Sequence, residues 1–210
     1  AFLYFQNSYV VTGTIDLILT NGEPNIDRSL VKDIECVSGV KAVHPRIFEQ
    51  AKRIVGNEKL PIMIMGIDLT SNDQKQDELE NHFRVSQDLT ELKLTYFTLA
   101  AFRQIPVIVG SELNKELEKE ELPVPDWLKG LGKRIKPILI EKGQNKHTVI
   151  RIASIELKDD ADKDAFAAFT GHVVVLDLDN AAHVLGIPPG KVRRIDVVLE
   201  PGVDPKIAKS

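Results

Sequence analysis

One cysteine, one tryptophan and no apolar run near the roughly 20 residues of a membrane-spanning helix are the first things this 210-residue chain lacks. The lone Cys36 excludes an internal disulfide, and its place beside a helical stripe reads as a buried structural thiol rather than a nucleophile. With only short apolar runs, the segment itself is expected to be soluble. No signal-peptide pattern opens it, so export would be directed by sequence outside it. GxSxG, GxxxxGK[ST], HExxH and GxGxxG are all missing. Without a phosphate-binding loop, this chain cannot be the ATPase of any system it serves. A basic stripe is missing too. The 27 basic and 31 acidic residues are scattered and give a net charge of −4, and the nearest thing to a patch is Lys133, Arg134 and Lys136. Nucleic acid is therefore not among the expected partners.

The side chains that could do chemistry are dispersed. Of His44, His82, His147, His172 and His183, none has a second histidine or a cysteine at metal-ligand spacing. An enzyme would need His172 or His183 to meet Asp177 or Asp179 in a polar cleft. Asp159, Asp160, Asp162 and Asp164 have the density of a calcium loop but lack its glycine and terminal glutamate, so they read as a solvated helix start. No metal or cofactor is expected.

What is present is a strand–helix–strand grammar at both ends. Residues 10–20 alternate as a strand, and Asn21, Gly22 and Pro24 break it. Asn25 or Asp27 can then cap a helix with Ile26, Leu30, Val31, Ile34 and Val37 on one side. Gly39 stops it, and residues 40–48 resume an extended run. At the other end, residues 173–176 form a β-branched strand, Asp179 can cap a helix carrying Ala182 and Leu185, and residues 192–199 alternate again. The centre is less regular. Residues 60–68 read as a strand, 70–80 as a polar surface segment, and 89–102 as apolar without a clean period. Strands are expected at 107–109, 136–142 and 148–158, the last two joined by a GQNK turn. Helices are expected from Ser111, with Leu113 and Leu117 inward, and over 159–169.

Some residues suit contact better than chemistry. Trp127, with Leu128 and Leu131, either packs as a satellite core or offers a rigid aromatic contact to cargo or partner. Arg134, with Lys129, Lys133 and Lys136, could meet anionic lipid or an acidic partner. On the helix from Ser111, Glu112, Glu116 and Glu120 recur every four residues, a like-charge stripe that hints at a charged mating surface.

Four stretches together resemble the extracytoplasmic core domain of permease subunits in the MacB, FtsX and LolC/LolE superfamily of ABC transporters. They are IDRSLVKDIECVSGVKAVHPRI (26–47), IMGIDL (64–69), VIVGSELNKEL (107–117) and the strand–helix–strand run 173–198. The resemblance implies an α+β fold: a porter-like α/β domain made of the N- and C-terminal strand–helix–strand units, with a smaller β-rich subdomain inserted. On this chain that places the porter-like part at 8–68 plus 171–210 and the insertion at 69–170. Residues 1–7, which contain LYFQ, are a tag remnant or a membrane-proximal leader. The family's second unit continues through a further helix and strand, so a truncation near residue 210 is expected.

The same resemblance implies a non-catalytic part that couples ATP-driven movement of membrane helices to export, lipoprotein release or control of a periplasmic protein. Its partners would be its own transmembrane helices, a separate cytoplasmic ATPase subunit and a second permease copy or homologue. A periplasmic protein or lipoprotein cargo would be a further partner, and the position implied is that of an extracytoplasmic (periplasmic) domain of an inner-membrane protein. Read without the resemblance, the residues also fit a free-standing periplasmic binding or adaptor protein, or a soluble α/β enzyme.

Overall fold

The computed structural model describes residues 2–4, 8–10, 13–15, 17–20, 25–68, 83–86, 89–120, 135–157 and 171–204. Short strands β1 (Phe2–Tyr4), β2 (Ser8–Val10), β3 (Gly13–Ile15), β4 (Leu17–Thr20) and β5 (Ile26–Asp27) lead to helix α1 (Leu30–Glu35). Two long strands follow, β6 (Val40–Val55) and β7 (Glu58–Ile67), turned at Gly56, which has a left-handed φ of 58°. Next come β8 (Phe83–Val85), α2 (Leu89–Ala101), β9 (Ile105–Gly110) and α3 (Ser111–Lys119). The chain closes with β10 (Lys136–Lys142), β11 (Asn145–Leu157), β12 (Val173–Asp177), α4 (Leu178–Leu185), β13 (Lys191–Val192) and β14 (Arg194–Leu199).

The first half of β6 lies in an open antiparallel sheet, ordered β1-β4-β14-β6. Its second half joins a closed ring of six strands, β6-β10-β11-β9-β12-β7 and back to β6. In the open sheet β14, from the end of the chain, sits between β4 and β6 from its beginning: Val197 is opposite Leu17 on one side and Val43 on the other. The small β5–β13 pair repeats this joining of ends. In the ring, β9–β11 and β7–β12 are parallel and the other neighbours antiparallel. A ring leaves none of its six strands with an unpaired edge.

The ring's inner side is apolar, with Ile47, Ile62, Ile64, Val107, Val149 and Leu176 in one continuous core. That core extends into the open sheet through Val43, Ile195 and Val197, so both parts share a single apolar interior. A second cluster on the outer side joins Leu99 of α2 to Ile150 and Ile152. Residues 89–102 lack a period for a simple reason: α2 is apolar on both sides, with Leu99 buried and Leu94 and Phe97 exposed.

Local differences from the sequence reading have local causes. The first helix starts only at Leu30, because Ile26 and Asp27 pair with β13 and Asp27 accepts the Ser29 amide and hydroxyl. Two turns then leave Leu30 and Val37 exposed, and Cys36, at the C-cap, is exposed rather than buried. The expected strand at 10–20 is divided among β2, β3 and β4. Helix α4 is capped by Asp177, whose carboxylate accepts the Asp179 amide, not by Asp179 itself. The acidic run 159–164 lies outside the described residues.

Helix α4 fits only because β7 carries no side chain at Gly66. A Cβ there would come 2.7 Å from Cβ of Ala181 and 3.0 Å from Cβ of Ile47. Gly66→Ala is therefore expected to lower unfolding stability by about 1–3 kcal/mol through overpacking. Urea unfolding with an unchanged slope checks this; parental stability would mean that the helix does not sit so close.

Candidate functional site

Three sets of charged side chains fasten the helices and strands to one another. The largest surrounds α3. Its apolar residues Leu113 and Leu117 are buried, which turns Glu116 and Glu120 toward β6. Arg53 of β6, itself buried, donates Nη1 to Glu120 Oε1 at 2.9 Å and Nη2 to Glu116 Oε2 at 3.0 Å. His172, just before β12, holds the other oxygen of Glu116 at 2.7 Å and lies 3.9 Å from Glu112. Arg151 of β11 donates to Asn114 and faces Glu118 at 3.6 Å. Lys136 closes the helix by donating to the carbonyls of Leu117 and Glu120. The like-charge stripe thus has partners within the chain and is not a free mating surface. Four-residue spacing could not reveal this, because Arg53 and His172 are distant in sequence.

The second set is a clasp around Arg28. Its guanidinium reaches Asp179 at 3.1 Å and Asp68 at 3.5 Å, and its backbone amide donates to Gly190. Lys191 adds a contact to Asp27 at 3.0 Å. The Ser29 amide and hydroxyl, followed by Lys191, hold the Asp27 carboxyl well below the usual carboxylate range. The clasp ties the turn before α1 to the end of β7 and the start of α4.

The third set lies on the face of the open sheet opposite its core. Asp196 is fully buried, with Arg194 at 2.9 Å and Arg46 at 3.8 Å. Burial pushes its carboxyl upward, against the downward pull of Arg194 and Arg46. His44 lies directly across the ladder from it. A buried carboxylate shared by two guanidiniums fixes the β14–β6 pairing in register, since a slip would leave a charge unpartnered.

None of these sets is arranged as a reaction centre. His172 is engaged by glutamates rather than Asp177, and His183 faces the His147 ring while Asp179 is held by Arg28. Among the described residues no three His, Cys, Asp or Glu side chains are grouped to hold a metal. A pocket of about 170 Å³, lined by Arg53, Glu120, Leu139 and Thr148, is smaller than the roughly 300–1,000 Å³ typical of ligand sites. No helix among the described residues is long and apolar enough to cross a membrane. Trp127, Leu128, Leu131 and Arg134 lie outside the described residues.

Two outcomes test the α3 network. Arg53→Met is expected to cost about 2–3 kcal/mol, below the range for a fully buried pair because the released carboxylates can rehydrate. Arg53→Lys should recover less than half of that, since an ammonium cannot fork between two carboxylates. Equilibrium unfolding of both variants checks the order. For pH, the hydrogen bond from His172 depresses the Glu116 carboxyl below its ordinary value of 4.5. Its contribution is therefore present above that value and lost as the pH falls through the folded-state one. The stability gap between the parent and Glu116→Gln should narrow between about pH 5 and pH 3; a gap that widens there would contradict the assignment.

No protein-family model matches the chain, and no curated protein sequence matches it significantly. Solved structures do. The extracellular domain of the noncanonical ABC-type transporter YknZ from Gram-positive bacteria is similar at 14% identity and a TM-score of 0.50, over 89% of this chain and 80% of that one. The periplasmic region of MacB from Actinobacillus actinomycetemcomitans is similar at 15% identity and a TM-score of 0.51, over 89% of this chain and 71% of that one. At such identities the likeness is one of fold: this chain has the α+β fold of these transporter domains, built from interleaved terminal units and a β-rich centre.

Proposed function

We propose that this chain is the non-catalytic extracytoplasmic domain of an ABC transporter permease subunit, in the manner of the MacB, FtsX and LolC/LolE superfamily. The observation that carries the proposal is the placing of the chain's two ends in one sheet. Leu17, where β4 begins, lies directly across the ladder from Val197, near the end of β14. The start of β4 and the end of β14 are therefore neighbours on the same side, as attachment to two adjacent membrane helices would require, while β1 runs back along β4 with Phe2 opposite Thr20. Movement of those helices, driven by ATP hydrolysis in a separate cytoplasmic subunit, would pass through β4 and β14 into β6 and on to the closed ring. The result would be export, lipoprotein release or control of a periplasmic protein, alongside a second permease copy or homologue. The rigid fastenings at Arg28, Arg53 and Asp196 support such a role, since a transmitting body must not deform internally.

Topology mapping of the full-length gene product tests this reading, with reporters attached before residue 1 and beyond residue 210. Flanking membrane helices with this segment outside the cytoplasm are the expected result. The absence of membrane helices on both sides would overturn it and favour a free-standing periplasmic binding protein.

Within this reading, Trp127, Leu128, Leu131 and Arg134 are assigned to contact with cargo or partner. Trp127 is the only tryptophan, so its fluorescence reports directly. Emission typical of a solvated indole, readily quenched by acrylamide, is expected; a blue-shifted, protected emission would instead place Trp127 in a satellite core.

A further inference from the structure

His147 and His183 come from separate elements and meet ring to ring. His147 lies near the start of β11, opposite Ile140, and His183 is in the last turn of α4. Their ring centroids are 4.7 Å apart and inclined at 64°. Asn145, two residues before His147 on the same face of β11, has its side chain against Gly186, so strand and helix ends are already in contact there. Among the described residues neither imidazole makes a hydrogen bond to another group. The pair sets two nitrogen heterocycles side by side at a partly exposed surface.

We propose that His147 and His183 form a two-histidine clamp for a divalent transition-metal ion of the zinc, nickel or copper class. Metal–nitrogen bonds of about 2.0–2.1 Å put the centroids of two imidazoles on one ion about 5 Å apart at coordination angles near 90–110°. The observed centroid separation of 4.7 Å is close to that value. Imidazole selects these ions over calcium or magnesium, which need several oxygen ligands. No third His, Cys, Asp or Glu is grouped with the pair among the described residues, so water completes the coordination. Position favours a cation as well, because the ion would lie at the C-terminal end of α4, the negative end of its dipole. The flanking lysines do not oppose it with free charge: Lys146 faces Glu141 at 3.3 Å and Lys142 faces Glu49 at 2.8 Å. A bound ion would bridge α4 to the β10–β11 hairpin.

The test uses the whole chain without a polyhistidine tag, titrated with nickel, zinc or copper(II) chloride. One equivalent is expected to bind and to raise the thermal midpoint by roughly 5–10 °C at about a hundredfold excess over the dissociation constant. Copper(II) electron paramagnetic resonance should show coupling to two equivalent imidazole nitrogens. His147→Gln and His183→Gln should each weaken binding at least tenfold, while His172→Gln, with its glutamate neighbours, should leave it unchanged. Absence of binding at millimolar metal, full affinity in both clamp variants, or loss in His172→Gln would overturn the proposal. Should a clamp variant fail to fold, the copper spectrum of the parent decides: a single-nitrogen pattern rejects the clamp. These outcomes are independent of the topology experiment.

Discussion

The structure depends on the continuity of β6. Sixteen residues of unbroken strand serve two sheets, the open one through residues 40–46 and the closed ring through residues 47–55. A strand rises about 3.3 Å per residue, so β6 is a rod of about 50 Å to which both sheets are bonded along its length. The ladder leaves no hinge between the two parts, and the shared apolar core continues across the same junction. Substitutions anywhere along β6 should consequently be felt in both sheets.

Charge completes what the core begins, with different physics at each place. Around α3 the arginines are buried and the carboxylates half exposed, so each ion pair is hydrated on one side and desolvated on the other. This lowers the desolvation cost while keeping most of the orientation. At Asp196 the carboxylate is fully enclosed, Arg46 is buried beside it, and only Arg194 is partly exposed. The Arg28 clasp is the most solvated of the three, and exposed pairs of that kind contribute little to stability. Its importance lies in the elements it joins rather than in the strength of the bond.

Much of this architecture could be read from periodicity alone. Residues 58–67, 136–142 and 173–177 are short and rich in β-branched residues, and all are strands. Leu113 and Leu117 at four-residue spacing gave the inward side of α3 correctly. Pairing was not legible, because hydrophobic alternation says which face a residue occupies but not which strand lies beside it. That β6 would run past Phe48 to Val55 is hidden by Glu49, Lys52 and Arg53; Lys52 is exposed, whereas Glu49 is paired with Lys142 and Arg53 with Glu116 and Glu120. Cys36 misled for the opposite reason: an apolar-looking position on a helix too short to bury it. Trp127, Leu128, Leu131 and Arg134 stand out by residue type alone, and the ladders that define the sheets carry no information about them.

The neighbouring positions of Leu17 and Val197 have a mechanical meaning. Two antiparallel strands pulled apart from the same end lose their hydrogen bonds one after another, as a zipper does, at low force. Two strands carried together in one direction load the whole sheet at once, and nothing between them is strained. A body held by this pair of strands is compliant to spreading and stiff to translation and tilt.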